Sequence, residues 1–298
     1  MLLIITGKGD GTVDVLAQHM FAPFFRLNLD DFRSYEFSFE NSYWQITNSV
    51  GLKIDSTTAS RCFWWKAFMY QVDPDKFVRE EIKLIGESLY SWFLNEGKAI
   101  GNPPSLESTW GKFRQASIAS KYMEVPQQKI GWGSEFLSQI DAKREWVAKS
   151  LSANLTESGK ALFTTEVDPS QLDPKFPWYI QNKVTSDVDV TVLVAGKKLF
   201  AFERSRAELE GLDWRKEQFS SDESWHPLEL ESDERAAILS MLTDMEISWG
   251  RIDFLRKGGV LQFLELNPNG QWVFLDPQNK TGLITEVVDY LINGHTHN

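Results

Sequence analysis

Asp253, Glu265 and Asn267 are the residues of this chain whose types and spacing most plainly offer chemistry. They stand in WGRIDFLRKGGVLQFLELNPNG, residues 249–270. Two carboxylates and an amide oxygen make a hard-oxygen ligand set suited to Mg²⁺, which keeps waters and substrate phosphates in the rest of its shell. A solvated acidic hairpin has the same composition, so register decides whether the three side chains meet. Lys257, Gly258 and Gly259 separate two runs of β-branched, aromatic and leucine residues, which predicts a hairpin. A two-residue loop would pair 253 with 264 and leave Asp253 and Glu265 on opposite faces. A three-residue loop, with Gly259 left-handed, pairs 253 with 263 and makes Asp253 and Glu265 diagonal neighbours, with Asn267 on the same face. The three-residue loop is the expectation. Pro268-Asn269-Gly270 then ends the strand, so the last candidate ligand lies beside a loop.

These residues resemble the ATP-grasp superfamily, whose C-terminal domain carries an Asp on one strand and Glu-x-Asn on the next as ligands for Mg-ATP. The wording FLELNPNGQW at 263–272 is similar, more narrowly, to the graspetide ligases, which macrocyclise microviridin-type ribosomal peptides. Asp213-Trp214-Arg215 is similar to a short D-x-R motif of those enzymes, in which the Arg is associated with the acceptor carboxylate. Lys112 and Gln115 match their K-x-x-Q element, which implies that Lys112 meets nucleotide phosphate. Residues 146–151 resemble the superfamily's V-V-K-P-L strand, with Ser150 in place of Pro, which implies that Lys149 reaches the α- and β-phosphates. Gln181, Asn182, Lys183 and Val184 fall where the superfamily's hinge strand reads adenine through the backbone, with Asp187 beside them in the nucleotide-binding set.

One departure stands out. The graspetide ligases show an acidic residue, an aliphatic residue and then Arg where this chain has Asp189-Val190-Thr191. Arg204, Arg206 and Arg215 are the nearest candidates to supply the missing charge. The resemblance thus implies a catalytic set of Arg215, Asp213, Asp189 and Arg204. WWK at 64–66 loosely resembles the family's tryptophan-basic element, with Lys66 where Arg is more usual, and Asn102-Pro103 resembles its N-P element.

The elements that must position these groups are readable in outline. Residues 2–6 form a buried strand, 7–11 a turn and the following segment, with Val13, Leu16, Ala17 and Met20, a helix. The glycines of that turn fit neither G-x-x-x-x-G-K-[ST] nor G-x-G-x-x-G, so it is read as a plain β–α turn. Alternating Phe25, Leu27 and Leu29 mark a second strand and an α/β layer. Residues 77–94 predict an amphipathic helix with Phe77, Ile82, Ile85, Leu89, Trp92 and Phe93 on its packing face and Gly97 as its stop. Another helix is expected over 106–122 with Ser105 or Ser108 as cap. The hairpin 188–202, a helix capped by Ser232 with Ile238, Met241, Leu242 and Met245 buried, and a closing helix with Ile284, Val287, Val288, Leu291 and Ile292 complete the chain. Gly159, Pro169, Pro174 and Pro177 break the segment expected to act as a lid over nucleotide. The expected fold is α/β (α+β): an N-terminal α/β domain over 1–103, a central lid domain over 104–182 and a C-terminal antiparallel-sheet domain over 183–298, in the ATP-grasp arrangement.

Composition bounds the partners. The chain has 298 residues, 31 basic and 42 acidic, for a net charge of −11, which argues against a nucleic-acid surface. Cys62, the single cysteine, forbids an internal disulfide and is read as an inert buried thiol. The apolar run 2–5 is too short for a signal peptide or membrane span, so a cytoplasmic address is expected. The resemblance implies ATP and Mg²⁺ as cofactors, a ribosomal precursor peptide as partner and a homodimer. It implies a ligase that activates a side-chain carboxylate as an acyl phosphate and forms an ester or amide. Two alternatives stay open: a ligase that joins an amino acid to a small molecule or peptide terminus, and a non-catalytic peptide-binding module that keeps the fold.

Overall fold

The computed structural model describes residues 1–67, 73–109, 111–151, 164–207 and 225–294. The first part of the chain runs β1 (Leu2–Thr6), α1 (Gly11–His19), β2 (Phe24–Asn28), β3 (Tyr35–Glu40), β4 (Tyr43–Asn48), β5 (Lys53–Asp55), β6 (Arg61–Trp64), α2 (Lys76–Leu94) and β7 (Ala99–Gly101). β2, β1, β6 and β7 pair in parallel in that order, and β3–β4–β5 form a small antiparallel sheet. A parallel sheet is covered on both faces, which is why β1 is apolar throughout. Leu2, Ile4 and Phe63 face one layer with Val13 and Leu16 of α1, while Leu3, Ile5 and Cys62 face Leu89 and Phe93 of α2. Burial raises the Cys62 thiol far above its ordinary pKa, as expected for an inert core cysteine. Asp10 caps α1 by accepting from the Val13 N–H. The packing stripe of α2 is narrower than the sequence pattern implies. Ile82, Ile85, Leu89 and Phe93 pack inward, whereas Phe77 is 70% exposed and Trp92 lies at the surface, edge-on to Phe39.

The middle of the chain holds α3 (Lys112–Ala119), β8 (Gln128–Gly131), α4 (Ser134–Ser138), β9 (Trp146–Lys149), β10 (Thr165–Val167) and β11 (Trp178–Asn182). The strands form an antiparallel sheet in the order β10-β9-β11-β8. The helix expected over 106–122 is shorter: a 3₁₀ turn, Pro104–Thr109, precedes it, and Gly111, in extended backbone at ψ 151°, stands at the N-cap of α3. The central portion of the expected lid, 152–163, lies outside the described residues.

The last part comprises β12 (Val188–Ala195), β13 (Lys198–Ser205), β14 (His226–Leu228), α5 (Ser232–Met245), β15 (Trp249–Lys257), β16 (Val260–Asn267) and α6 (Leu283–Asn293). The strands form one antiparallel sheet, β14-β13-β12-β15-β16. α5 is capped by Glu231, not Ser232: the Glu231 carboxylate and the N3 side chain of Glu234 form a reciprocal capping box, and Ser232 is already helical. One face of the sheet, with Val190, Val192, Ile252, Phe254, Phe263 and Leu266, packs on α3 and α5. The other face carries Leu193, Ala195, Phe202 and Trp249 into a layer shared with the N-terminal sheet, α1 and α6. Asn102 ties the two sheets together, donating from its amide to the Trp249 and Pro268 carbonyls. No helix among the described residues is long and apolar enough to cross a membrane.

Candidate active site

The second face of the C-terminal sheet divides along its length. Near Trp249 it is apolar and docked on the N-terminal sheet. Further along the same strands it turns polar, presenting Asp189 and Thr191 on β12, Arg251 and Asp253 on β15, and Glu265 and Asn267 on β16. Alternation along strands puts the two halves on one surface.

The hairpin reaches this arrangement by a different route from the one expected. Lys257 pairs with Val260 across a two-residue turn, Gly258-Gly259, with φ of 57° and 85°. Positive φ at both positions is the requirement of a type I′ turn, whose twist suits the strands it joins. That register alone would have turned Glu265 away from Asp253. A β-bulge corrects it: the pairing shifts between Asp253 and Phe254, Leu264 is the extra residue, and Asp253 lies directly opposite Glu265 rather than diagonal to it. Leu261 and Phe263 before the bulge and Leu266 after it all remain on the apolar face.

The three candidate ligands meet. The Asn267 amide nitrogen donates to Asp253 Oδ2 at 2.9 Å and to Glu265 Oε1 at 3.1 Å. A donor seated between two carboxylates marks a place where positive charge is favoured, and rotating the carboxamide about its last bond would bring Asn267 Oδ1 there instead. The donor set therefore fits Mg²⁺: Asp253, Glu265 and Asn267 supply hard oxygens from two adjacent strands. Lys112 at the start of α3 donates to Glu265 Oε2 at 2.7 Å. Burial alone would raise the Glu265 pKa, but Lys112 and Lys149 outweigh it and hold the carboxyl well below the usual range.

Arg251 is the residue that sequence reasoning missed. Its guanidinium grips Asp253 through Nε and Nη2, at 3.1 and 2.9 Å, and its Nη1 donates to the Gln271 carbonyl at 2.6 Å. Its R-x-D spacing with Asp253 was the available signal, since residues two apart share a strand face. Thr191, opposite Asp253 on β12, donates its hydroxyl to Asp253 Oδ1 at 2.9 Å. A guanidinium thus stands on the neighbouring strand, at Arg251, bonded to the same carboxylate as Thr191.

Beside the cluster, Arg206 donates to Asp189 Oδ1 at 2.7 Å, Arg204 lies opposite Asp189 across β12 and β13, and Asp189 Oδ2 is buried with no hydrogen-bond partner among the described residues. Burial raises the Asp189 pKa against the pull of Arg206. Asp187 is exposed, and its carbonyl accepts from the Arg206 N–H. Asp213 and Arg215 lie outside the described residues.

The central sheet flanks Glu265. Lys149 on β9 pairs with Tyr179 on β11, and the Lys112 ammonium lies 5.7 Å from the Tyr179 ring centroid. Gln181 Nε2 and Asn182 Oδ1 are buried and have no hydrogen-bond partner among the described residues. The Lys183 N–H donates to the Glu145 carbonyl and its ammonium pairs with Glu166 at 2.7 Å. That amide is therefore committed within the protein, as is the Asn182 N–H, which donates to the Gln127 carbonyl at 2.8 Å.

No family model matches the sequence, and no curated protein matches it either. The fold does match solved structures. A RiPP-associated ATP-grasp ligase from Chryseobacterium gregarium, solved with ADP and a leader and core peptide, superposes with a TM-score of 0.82 at 22% identity, covering 99% of this chain and 97% of that one. The macrocyclase MdnC from Microcystis aeruginosa, bound to precursor peptide MdnA, gives 0.79 at 19% identity, with coverage of 99% and 100%. D-alanine–D-alanine ligase from Bacillus anthracis, solved with ATP, gives 0.55 at 13% identity, with coverage of 98% and 95%. From end to end, then, the chain has the ATP-grasp fold, in the form shared by the ligases of ribosomal peptides.

Proposed function

We propose that the protein is an ATP-dependent ligase that activates a side-chain carboxylate of a ribosomal precursor peptide and closes ester or amide crosslinks. One observation carries this reading above the rest. Asp253 and Glu265 face each other across β15 and β16 with Asn267 between them, and Lys112 and Lys149 stand on one flank. Fold likeness adds to it, because structures with this fold hold ADP and precursor peptides.

In the reaction a carboxylate oxygen of the peptide attacks the γ-phosphorus of ATP, ADP leaves with the bonding pair, and an acyl phosphate results. A hydroxyl or amine then displaces phosphate and gives up its proton, so each crosslink consumes one ATP and yields ADP and phosphate. Bound by Asp253, Glu265 and Asn267, Mg²⁺ would draw charge from the triphosphate. Lys112 and Lys149 supply further positive charge for phosphate oxygens. Arg251, held by its fork on Asp253, keeps that carboxylate aimed while neutralising it. Gln181 and Asn182 offer buried polar atoms to the nucleotide, with base reading left to the Lys183 carbonyl and Val184. Asp189 and Arg204, with Asp213 and Arg215, are assigned to the acceptor side.

Magnesium dependence, a cytoplasmic address and a homodimer belong to the same reading. The exposed Phe37 and Phe39 on β3, a strand paired on one side only, offer a second copy an apolar surface. The division into 1–103, 104–182 and 183–298 follows the grouping of strands into sheets. Mass spectrometry tests the function: incubated with ATP and a small Thr/Ser- and Glu/Asp- or Lys-rich precursor peptide, the enzyme should lower peptide mass by one water per bond. A gain in mass would indicate conjugation instead, and loss of nothing by Asp253→Asn in an ATP-hydrolysis assay would refute catalysis at this cluster.

A further inference from the structure

Lys66 is set apart from the other lysines near the site. It follows β6 at the carboxyl end of the parallel N-terminal sheet, the edge at which open α/β sheets receive ligands. Its backbone is left-handed, with φ 46°, a conformation that a residue with a Cβ rarely adopts and that must be imposed by its surroundings. Those surroundings are rigid. The Trp65 ring lies 6.1 Å from Trp249 in an edge-on contact, stacks on Phe63 at 5.8 Å, and its Nε1 donates to Asp10 Oδ1 at 3.1 Å.

The Lys66 ammonium lies 5.3 Å from the Trp65 ring centroid and, among the described residues, makes neither a hydrogen bond nor an ion pair. Burial, opposed by Asp10 and reinforced by the positive field of Arg251, lowers its pKa to about 8. Arg251 in turn is fully engaged by Asp253 and the Gln271 carbonyl. Two cations therefore approach one another, and the second has only the field of Asp10, a carboxylate already accepting from Trp65 and the Val13 N–H, to set against the first. Their location says which anion belongs there. Lys112 and Lys149 serve phosphate on the Glu265 flank, whereas Lys66 stands on the Asp253 flank, toward the N-terminal sheet. Acyl phosphate formation needs two anions brought together from different directions.

We propose that Lys66 binds the acceptor carboxylate of the substrate, holding it on the Asp253 flank so that its oxygen faces the γ-phosphate. This rests on the ligase reading above. Glutarate, a free analogue of a glutamyl side chain, is the probe. The full-length chain is treated with an amine-acylating reagent with and without glutarate, in the presence and absence of Mg-ADP, and each lysine is mapped by mass spectrometry. Glutarate should slow acylation of Lys66 by about threefold or more and leave the exposed Lys257 unaffected. Calorimetry should show Lys66→Met weakening glutarate binding by roughly tenfold, with Lys66→Arg retaining most of it. Equal acylation of Lys66 with and without glutarate, or equal glutarate affinity in Lys66→Met, overturns the assignment. Mg-ADP titration of the unaltered chain reports separately on the ligase reading: nucleotide bound without protection of Lys66 sinks Lys66 alone, and protection without nucleotide binding sinks the ligase.

Discussion

The carboxamide of Gln115 makes both hydrogen bonds of the Leu266 peptide group, donating from Nε2 to the carbonyl and accepting at Oε1 from the N–H, each at 2.9 Å. β16 is the outer strand of its sheet, so Gln115 acts as one additional rung on its outer edge, where the Glu124 carbonyl also accepts from the Phe263 N–H. One turn earlier on the same helix, Lys112 meets Glu265. The spacing Lys-x-x-Gln thus lets a single helix face contact two successive residues of β16, one through its side chain and one through its backbone.

Replacing Gln115 by Leu should leave the buried Leu266 N–H and C=O unpaired, at a cost of about 2–4 kcal/mol. Urea denaturation would measure it, and Mg-ADP affinity should fall with it because α3 also carries Lys112. An unchanged midpoint would mean that the edge of β16 finds other partners.

Thr191→Val keeps the shape of a buried position and deletes the hydroxyl that donates to Asp253. A hydrogen bond to a charged group contributes about 1.5–3 kcal/mol, so Mg-nucleotide affinity should drop roughly tenfold or more while the fold persists. Calorimetry alongside circular dichroism separates the two effects.

Asn102→Ala removes two donations to carbonyls of the C-terminal sheet from a side chain that is buried. Thermal unfolding should shift downward by several degrees, corresponding to about 2–4 kcal/mol. The shift should exceed that of Ser88→Ala, whose hydroxyl bonds only to its own exposed helix turn.

Asp55 accepts from both the side chains and the backbone N–H groups of Thr57 and Thr58. The Thr57 hydroxyl leads these in lowering its pKa to about 2. A depressed folded value means that its stabilisation is complete above the unfolded value near 3.8 and disappears as pH falls toward about 2. Asp55→Ala should therefore lower the melting temperature by about 2–4 °C at neutral pH. Scans between pH 5 and about 2 should show the two melting curves converging. A constant difference across that window would assign the loss to packing.

Much of this was legible in the residues themselves. Leu2 to Thr6, the buried stripe of α5 and the apolar face of α6 each follow from a local pattern that tertiary structure had no reason to override. The clustering of Asp253, Glu265 and Asn267 was also readable, although by the wrong loop. A bulge depends on what the partner strand presents, and one strand's sequence carries no count of the other's residues. Arg251 was passed over because its partner lies two residues away, where an Arg and an Asp on a strand ordinarily look like a surface pair. The shorter α3 and the exposed Phe77 show the converse limit: periodicity marks a helix, but a glycine or an uncovered flank decides how much of it forms and packs.

The unpaired Leu264 makes the chemistry of the hairpin a matter of phase. Were the bulge ironed out and Leu264 drawn into the ladder opposite Asp253, every polar atom of the cluster would stay in the protein, yet Glu265 and Asn267 would swing into the greasy layer beneath and Leu266 would come up in their place. One further residue inserted between the glycine turn and Glu265 would shift the phase in the same way, so this short stretch has far less freedom to grow than a surface loop of equal size.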